Sequence, residues 1–223
     1  MTDSLLSING QNIQTLEVLF ITTILTLLPS LLVMMTSFTR YIISLSFIRS
    51  ALGTQQTPPN MVLIGMALIL TLFTMGPTFT EIGEEAYEPY IQEQISQEEF
   101  VKRAEVPLKE FMIRNTKTDT LRMFCDLSDT EMPASVSVQT ISRLPMRVII
   151  PSFLTCELQR AFEIGFLLYL PFMLIDIVVS STLMSMGMIM LPPSMISMPF
   201  KLLLFVTLNG WELLFSNLVR GFR

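Results

Sequence analysis

The segment Glu157–Trp211, ELQRAFEIGFLLYLPFMLIDIVVSSTLMSMGMIMLPPSMISMPFKLLLFVTLNGW, carries a single charge, Asp176, between Glu163 and Lys201. A helix needs about 20 mostly apolar residues to cross about 30 Å of hydrocarbon. Two runs here reach that length, about Ile164–Met184 and about Met195–Phe215. Between them Gly187 and the pair Pro192 and Pro193 interrupt any helix, because glycine frees the backbone and proline cannot continue a preceding helix. The segment reads as a hydrophobic helical hairpin turning at its methionine-rich middle.

Six of the chain's 17 methionines fall in this turn and its flanks: Met184, Met186, Met188, Met190, Met195 and Met198. The first four alternate with other residues. On a helix such steps scatter side chains around the axis, whereas in an extended loop they point to one side. Methionine is unbranched and deformable, and it re-packs when a gap changes shape. Two readings stand: apolar packing in a membrane protein, or a soft band that reseals around a moving object.

Working outward, the remainder has the same character. The chain has 223 residues, 51% of them hydrophobic, with long uncharged stretches at 18–39 and 50–80. A first apolar run covers about Leu16–Met35, with Pro29 as a kink. A connection from Thr36 to Asn60 follows, helical at Tyr41–Ile48 and turning at Gly53, Pro58 and Pro59. The second run, about Met61–Phe79, reads as broken at Gly76-Pro77. Residues 81–147 are different, with 13 acidic and 8 basic side chains. Apolar residues still recur there at helical spacing, which predicts a small amphipathic helical insert. The expected organisation is therefore 1–80 as an N-terminal hydrophobic hairpin with its connecting loop at 50–60, 81–147 as a polar helical insert, and 148–223 as a C-terminal hairpin with a loop at 186–191. Arg40 and Arg49 favour a cytoplasmic first connection and place the insert outside. No Lys or Arg precedes Arg40 and no small-residue cleavage pattern follows the first run, so the whole chain is expected to be retained.

Buried charge is the next signal. If the hairpin turns near 188–193, Asp176 and Lys201 lie at similar depth, and charges inside apolar segments face protein, a cavity or each other. Structural pairing of Asp176 with Lys201 is the favoured reading, and an ion-handling site, as in a secondary transporter or ion channel, is the alternative. Such transporters usually carry internal repeats, and the two halves share no visible self-similarity. Glu157, Arg160 and Glu163 read as a local solvated cluster on one helix face. The chain has no histidine, which removes the usual general base and zinc ligand. There is no P-loop or nucleophile elbow, so neither catalysis, cofactor nor metal is expected. Cys125 and Cys156 read as unpaired thiols, and no basic patch points to nucleic acid.

The strings TSFTRYIISLSFIRSALGTQQTPPNMVLIGMALILTLF (Thr36–Phe73) and Glu157–Trp211, in this order and separation, resemble the FliP family of flagellar type III export-gate subunits. An injectisome counterpart belongs to the same family, and the wording of both blocks leans to the flagellar branch. The resemblance implies an all-α, membrane-associated subunit that assembles as a ring of five copies with FliQ and FliR. That ring would surround a pore in the bacterial cytoplasmic membrane, associate with FlhB, and sit in the basal-body ring system to pass unfolded flagellar proteins. It implies helices wound around the pore, so four conventional spans would be wrong in geometry. It also implies that the methionine-rich loop is a pore gasket, which by position falls on Met186, Met188, Ile189 and Met190, flanked by Leu191.

Overall fold

The computed structural model describes residues 6–8, 11–13, 19, 22–23, 26, 30, 33–54, 56–132, 144–188 and 190–222, and the account below refers to these. Two short strands, β1 (Leu6–Ile8) and β2 (Gln11–Ile13), pair antiparallel with Leu6 opposite Ile13. The remaining regular structure is helical. Every described residue from Leu19 to Met34 is helical, and most of the apolar run at 16–35, with Pro29, lies outside the described residues.

Helix α1 (Phe38–Ala51) buries Arg40, Tyr41, Ser44, Leu45, Ile48 and Ala51, one stripe at helical spacing. Expected only as part of a connection, it is instead the centre of the larger core. Its stripe packs with Leu63 and Ala67 of α2 (Asn60–Ile82), Phe172 of α6 (Met146–Ser185), Phe205 of α7 (Pro193–Thr207) and Leu214 and Leu218 of α8 (Gly210–Arg220). Gly53, at φ +77°, takes the chain out of α1, and Pro59 immediately precedes the first turn of α2.

Helix α2 does not break at Gly76-Pro77. It continues through Pro77 and a π-turn at Gly83–Tyr87 into α3 (Glu88–Ile91), a helical run of 32 residues. Proline removes one backbone bond, but unwinding an apolar segment would strand many backbone groups without water to satisfy them. The same reasoning covers Pro151 and Pro171 in α6 and Pro199 in α7.

The insert folds as α4 (Gln97–Arg114) and α5 (Thr118–Leu127). Ser96 Oγ accepts the Glu99 N–H at 3.3 Å, capping the first turn of α4. Four i,i+4 ion pairs then run along it: Glu98–Lys102, Glu99–Arg103, Glu105–Lys109 and Glu110–Arg114. A second core, including Met112, Leu121 and Cys125, fastens the insert to Val148, Ile149 and Phe153 at the start of α6.

Helix α6 has 40 residues, so the run read at 164–184 is only its second half. The run read at 195–215 is two helices: α7 and α8 meet at 65°, with Asn209 at φ +49° in the joint. A close aromatic contact accompanies the bend. A Cβ on Gly210 would lie 2.3 Å from the Phe205 ring, so that ring packs directly on bare backbone. Two helical runs, 60–91 and α6, are long and apolar enough to cross a membrane, and the bent α7–α8 pair would be a third.

Candidate functional site

The tip of the α6–α7 hairpin is built by backbone chemistry its sequence specifies. The Gly187 N–H donates to Met184 O and the Met188 N–H to Leu183 O, both at 3.0 Å. This is a Schellman closure, which requires a left-handed residue at Gly187, and its φ is +74°. On the other side Pro192 precedes α7 and Pro193 occupies its first position, where the missing N–H costs nothing. The four alternating methionines therefore do not lie along one extended strand, because Met184 is still in α6 and Met186 caps it. They nevertheless project outward: Met190 is 97% exposed, Met184 70%, Met186 68% and Met188 40%, and Met195 in the first turn of α7 is 67% exposed. Leu191 is exposed with them, Met198 is half-buried, and Ile189 lies outside the described residues.

Beneath the tip sits a charged clasp. Lys201 Nζ on α7 lies 2.6 Å from Asp176 Oδ2 on α6. Ser197 Oγ, one turn nearer the tip, donates to Asp176 Oδ1 at 2.6 Å. Lys201 Nζ also donates to the Ala51 carbonyl at 3.0 Å. That carbonyl belongs to the last turn of α1, where the helix dipole favours a cation. The clasp thus fastens α6, α7 and the end of α1 at one level. Below Ala51, Arg49 Nη1 donates to Pro58 O at 3.3 Å and also bonds the Asn60 side chain, holding the loop that contains Gly53, Pro58 and Pro59.

The second ionic contact overturns the reading of Glu157, Arg160 and Glu163 as a solvated cluster. Glu157 is fully buried and pairs with Arg40 of α1, which is also buried. Arg40 Nε donates to Glu157 Oε2 at 2.7 Å, Nη2 reaches Oε1, and Nη1 donates to Gly221 O at 2.9 Å. The guanidinium lies 3.4 Å from the centre of the Phe222 ring, and that ring stacks on Phe111 of the insert. No ion pair among the described residues joins Glu157, Arg160 and Glu163 to one another. The missed signal is periodic: Ile149, Phe153, Cys156, Ala161 and Gly165 form the buried stripe of α6, and Glu157 lies on it.

Cys125 and Cys156 are both free and buried, and Cys156 Sγ accepts the Lys117 N–H at 3.3 Å. Among the described residues no three His, Cys, Asp or Glu side chains converge as metal ligands would.

Across residues 21–218 the sequence matches the FliP family. The chain belongs to the FliP family. Its relatives include the flagellar biosynthetic protein FliP of Aquifex aeolicus, 50% identical over 96% of this chain and 88% of the relative. The FliP of Pectobacterium carotovorum is 49% identical over 96% of this chain and 82% of its own length. That of Bacillus subtilis is 46% identical over 93% and 92%. In this FliP-family chain, then, the exposed methionines, the Asp176–Lys201 clasp and the buried Arg40–Glu157 pair all lie within the matched region.

Proposed function

We infer that this chain is a channel subunit of the flagellar protein-export apparatus, seated in the bacterial cytoplasmic membrane at the flagellar basal body. Its names by kinship are flagellar throughout the relatives described above, which favours that setting over an injectisome. Copies of the chain, five by family resemblance, would surround a pore together with FliQ and FliR, with FlhB joining the finished complex. Unfolded flagellar proteins would pass through, with the driving energy supplied elsewhere.

The observation that carries the reading is the hairpin tip, where a fixed turn presents exposed thioethers above a charged clasp. In a ring, such tips would converge on Met186, Met188, Ile189 and Met190 and narrow the opening. A constriction of apolar side chains excludes water and ions by dewetting. Methionine adds compliance, so the seal deforms around unrelated polypeptides without reading their sequence. The Asp176–Lys201 clasp and the turns at Gly53, Pro58, Pro59, Gly187, Pro192 and Pro193 hold the tip in register.

The test is conductance. Replacing Met186, Met188 and Met190 together by alanine should leave the complex assembled but make vesicles that contain it leaky to ions. An assembled variant with unchanged conductance would sink the gasket role.

A further inference from the structure

We propose that the methionines of the α6–α7 tip form an oxidation-sensitive switch, in which hydrogen peroxide converts their thioethers to sulfoxides and opens the seal. The proposal rests on the gasket reading above and names its regulation. Three observations converge on it.

The first is density and exposure. Met184, Met186, Met188, Met190 and Met195 all stand exposed within one turn and its flanks, whereas Met75 of α2 and Met112 of α4 are completely buried. Other methionines are exposed, Met34, Met61 and Met123 among them, but none of these lies in the α6–α7 turn. The tip concentrates accessible thioether sulfur.

The second is the lack of a competing thiol. Cys125 and Cys156 are buried, and burial pushes the Cys125 thiol up, away from its reactive thiolate. An oxidant that reaches the tip meets thioethers first.

The third is consequence. The sulfur attacks one peroxide oxygen, an S–O bond forms as the O–O bond breaks, and the other oxygen leaves as hydroxide, which becomes water on taking the proton from the oxygen now on sulfur. Sulfur loses two electrons and peroxide gains them, so no further reactant is needed. The product is a polar, chiral side chain in place of a flexible apolar one. A seal that works by excluding water fails when its lining binds water. Because sulfoxide is reduced by dedicated reductases, the change is reversible.

The experiment uses the full complex carrying this chain, reconstituted in phospholipid vesicles and exposed to hydrogen peroxide. Ion leak is recorded, and peptide mass mapping then locates each added oxygen. Sulfoxide should accumulate at Met186, Met188 and Met190 and not at Met75 or Met112, and loss of closure should track it. A variant with Met186→Leu, Met188→Leu and Met190→Leu keeps apolar bulk and removes the oxidisable sulfur from the three gasket positions. Whatever its own baseline, its leak should not change with peroxide. The switch is overturned if the tip acquires no oxygen, if it is oxidised without added leak, or if the leucine variant responds equally. The alanine variant separates the two ideas. If it leaks while the oxidised parent stays closed, the switch fails and the gasket stands. If it stays closed, the gasket itself fails.

Discussion

Arg40 and Glu157 show what a buried charge demands of its surroundings. Each has been taken out of water, and the attraction between them offsets that cost only while both are present. Removing one partner of such a pair typically costs about 3–5 kcal/mol. Arg40→Ala should be the worse single change, since it leaves the Glu157 carboxylate with no partner and also releases Gly221 and Phe222. Glu157→Ala leaves Arg40 its carbonyl and ring. The double variant should be less damaged than the sum, as measured by thermal unfolding in detergent; strict additivity would mean the two are not coupled. At the other clasp, exchanging the charges by Asp176→Lys with Lys201→Asp should recover only part of assembly. The new carboxylate at 201 would face the Ala51 carbonyl, an acceptor that now receives the Lys201 ammonium. Full recovery, read from complex yield, would show that this carbonyl is immaterial.

Elements, too, depend on single positions. A Cβ on Gly165 would fall 2.4 Å from the Phe47 ring, so α1 and α6 touch there through an absent side chain. Gly165→Ala should destabilise the pair by about 1–3 kcal/mol, the usual cost of overpacking. Adding Phe47→Ala should restore part of it if the clash is the cause. No rescue in chemical denaturation would place the effect in the backbone of α6 instead. Local chemistry made some elements legible in the sequence: the Gly187 and Pro192–Pro193 punctuation bounds α6 and α7. Two charges equidistant from a hairpin turn lie at one depth whatever the packing, so residue numbers alone bring Asp176 and Lys201 level. Other features were not legible for equally physical reasons. Pro77 looks like a stop only if water is available to the freed backbone. The joint at Asn209 is where the backbone turns left-handed and the Phe205 ring packs on Gly210, local features that hydropathy averages away. Glu157 has its partner 117 residues away, where no i,i+3 rule can look.

In the whole molecule, the polar insert and the hydrophobic bundle are joined by a core to which both cysteines belong or border. Cys125 packs among Met112, Val148 and Phe153, and Cys156 accepts a bond from the α5 start at Lys117. Both thiols should resist a water-soluble maleimide at neutral pH while the insert is docked. Phe153→Ala, which hollows that core, should expose them and raise the labelling rate. Rapid labelling of the intact protein would show that the insert swings free. A single continuous helix runs from this core to the methionine tip, with Arg40 gripping it near one end and Lys201 nearer the other. Its 40 residues, at about 1.5 Å each, give a rod about 60 Å long. A rod of that length is a lever: a tilt of about 5° at the insert carries its far end sideways by about 5 Å. That displacement is comparable to the width of a side chain, so a small push on the polar end is amplified into a large sideways movement of the methionine tip.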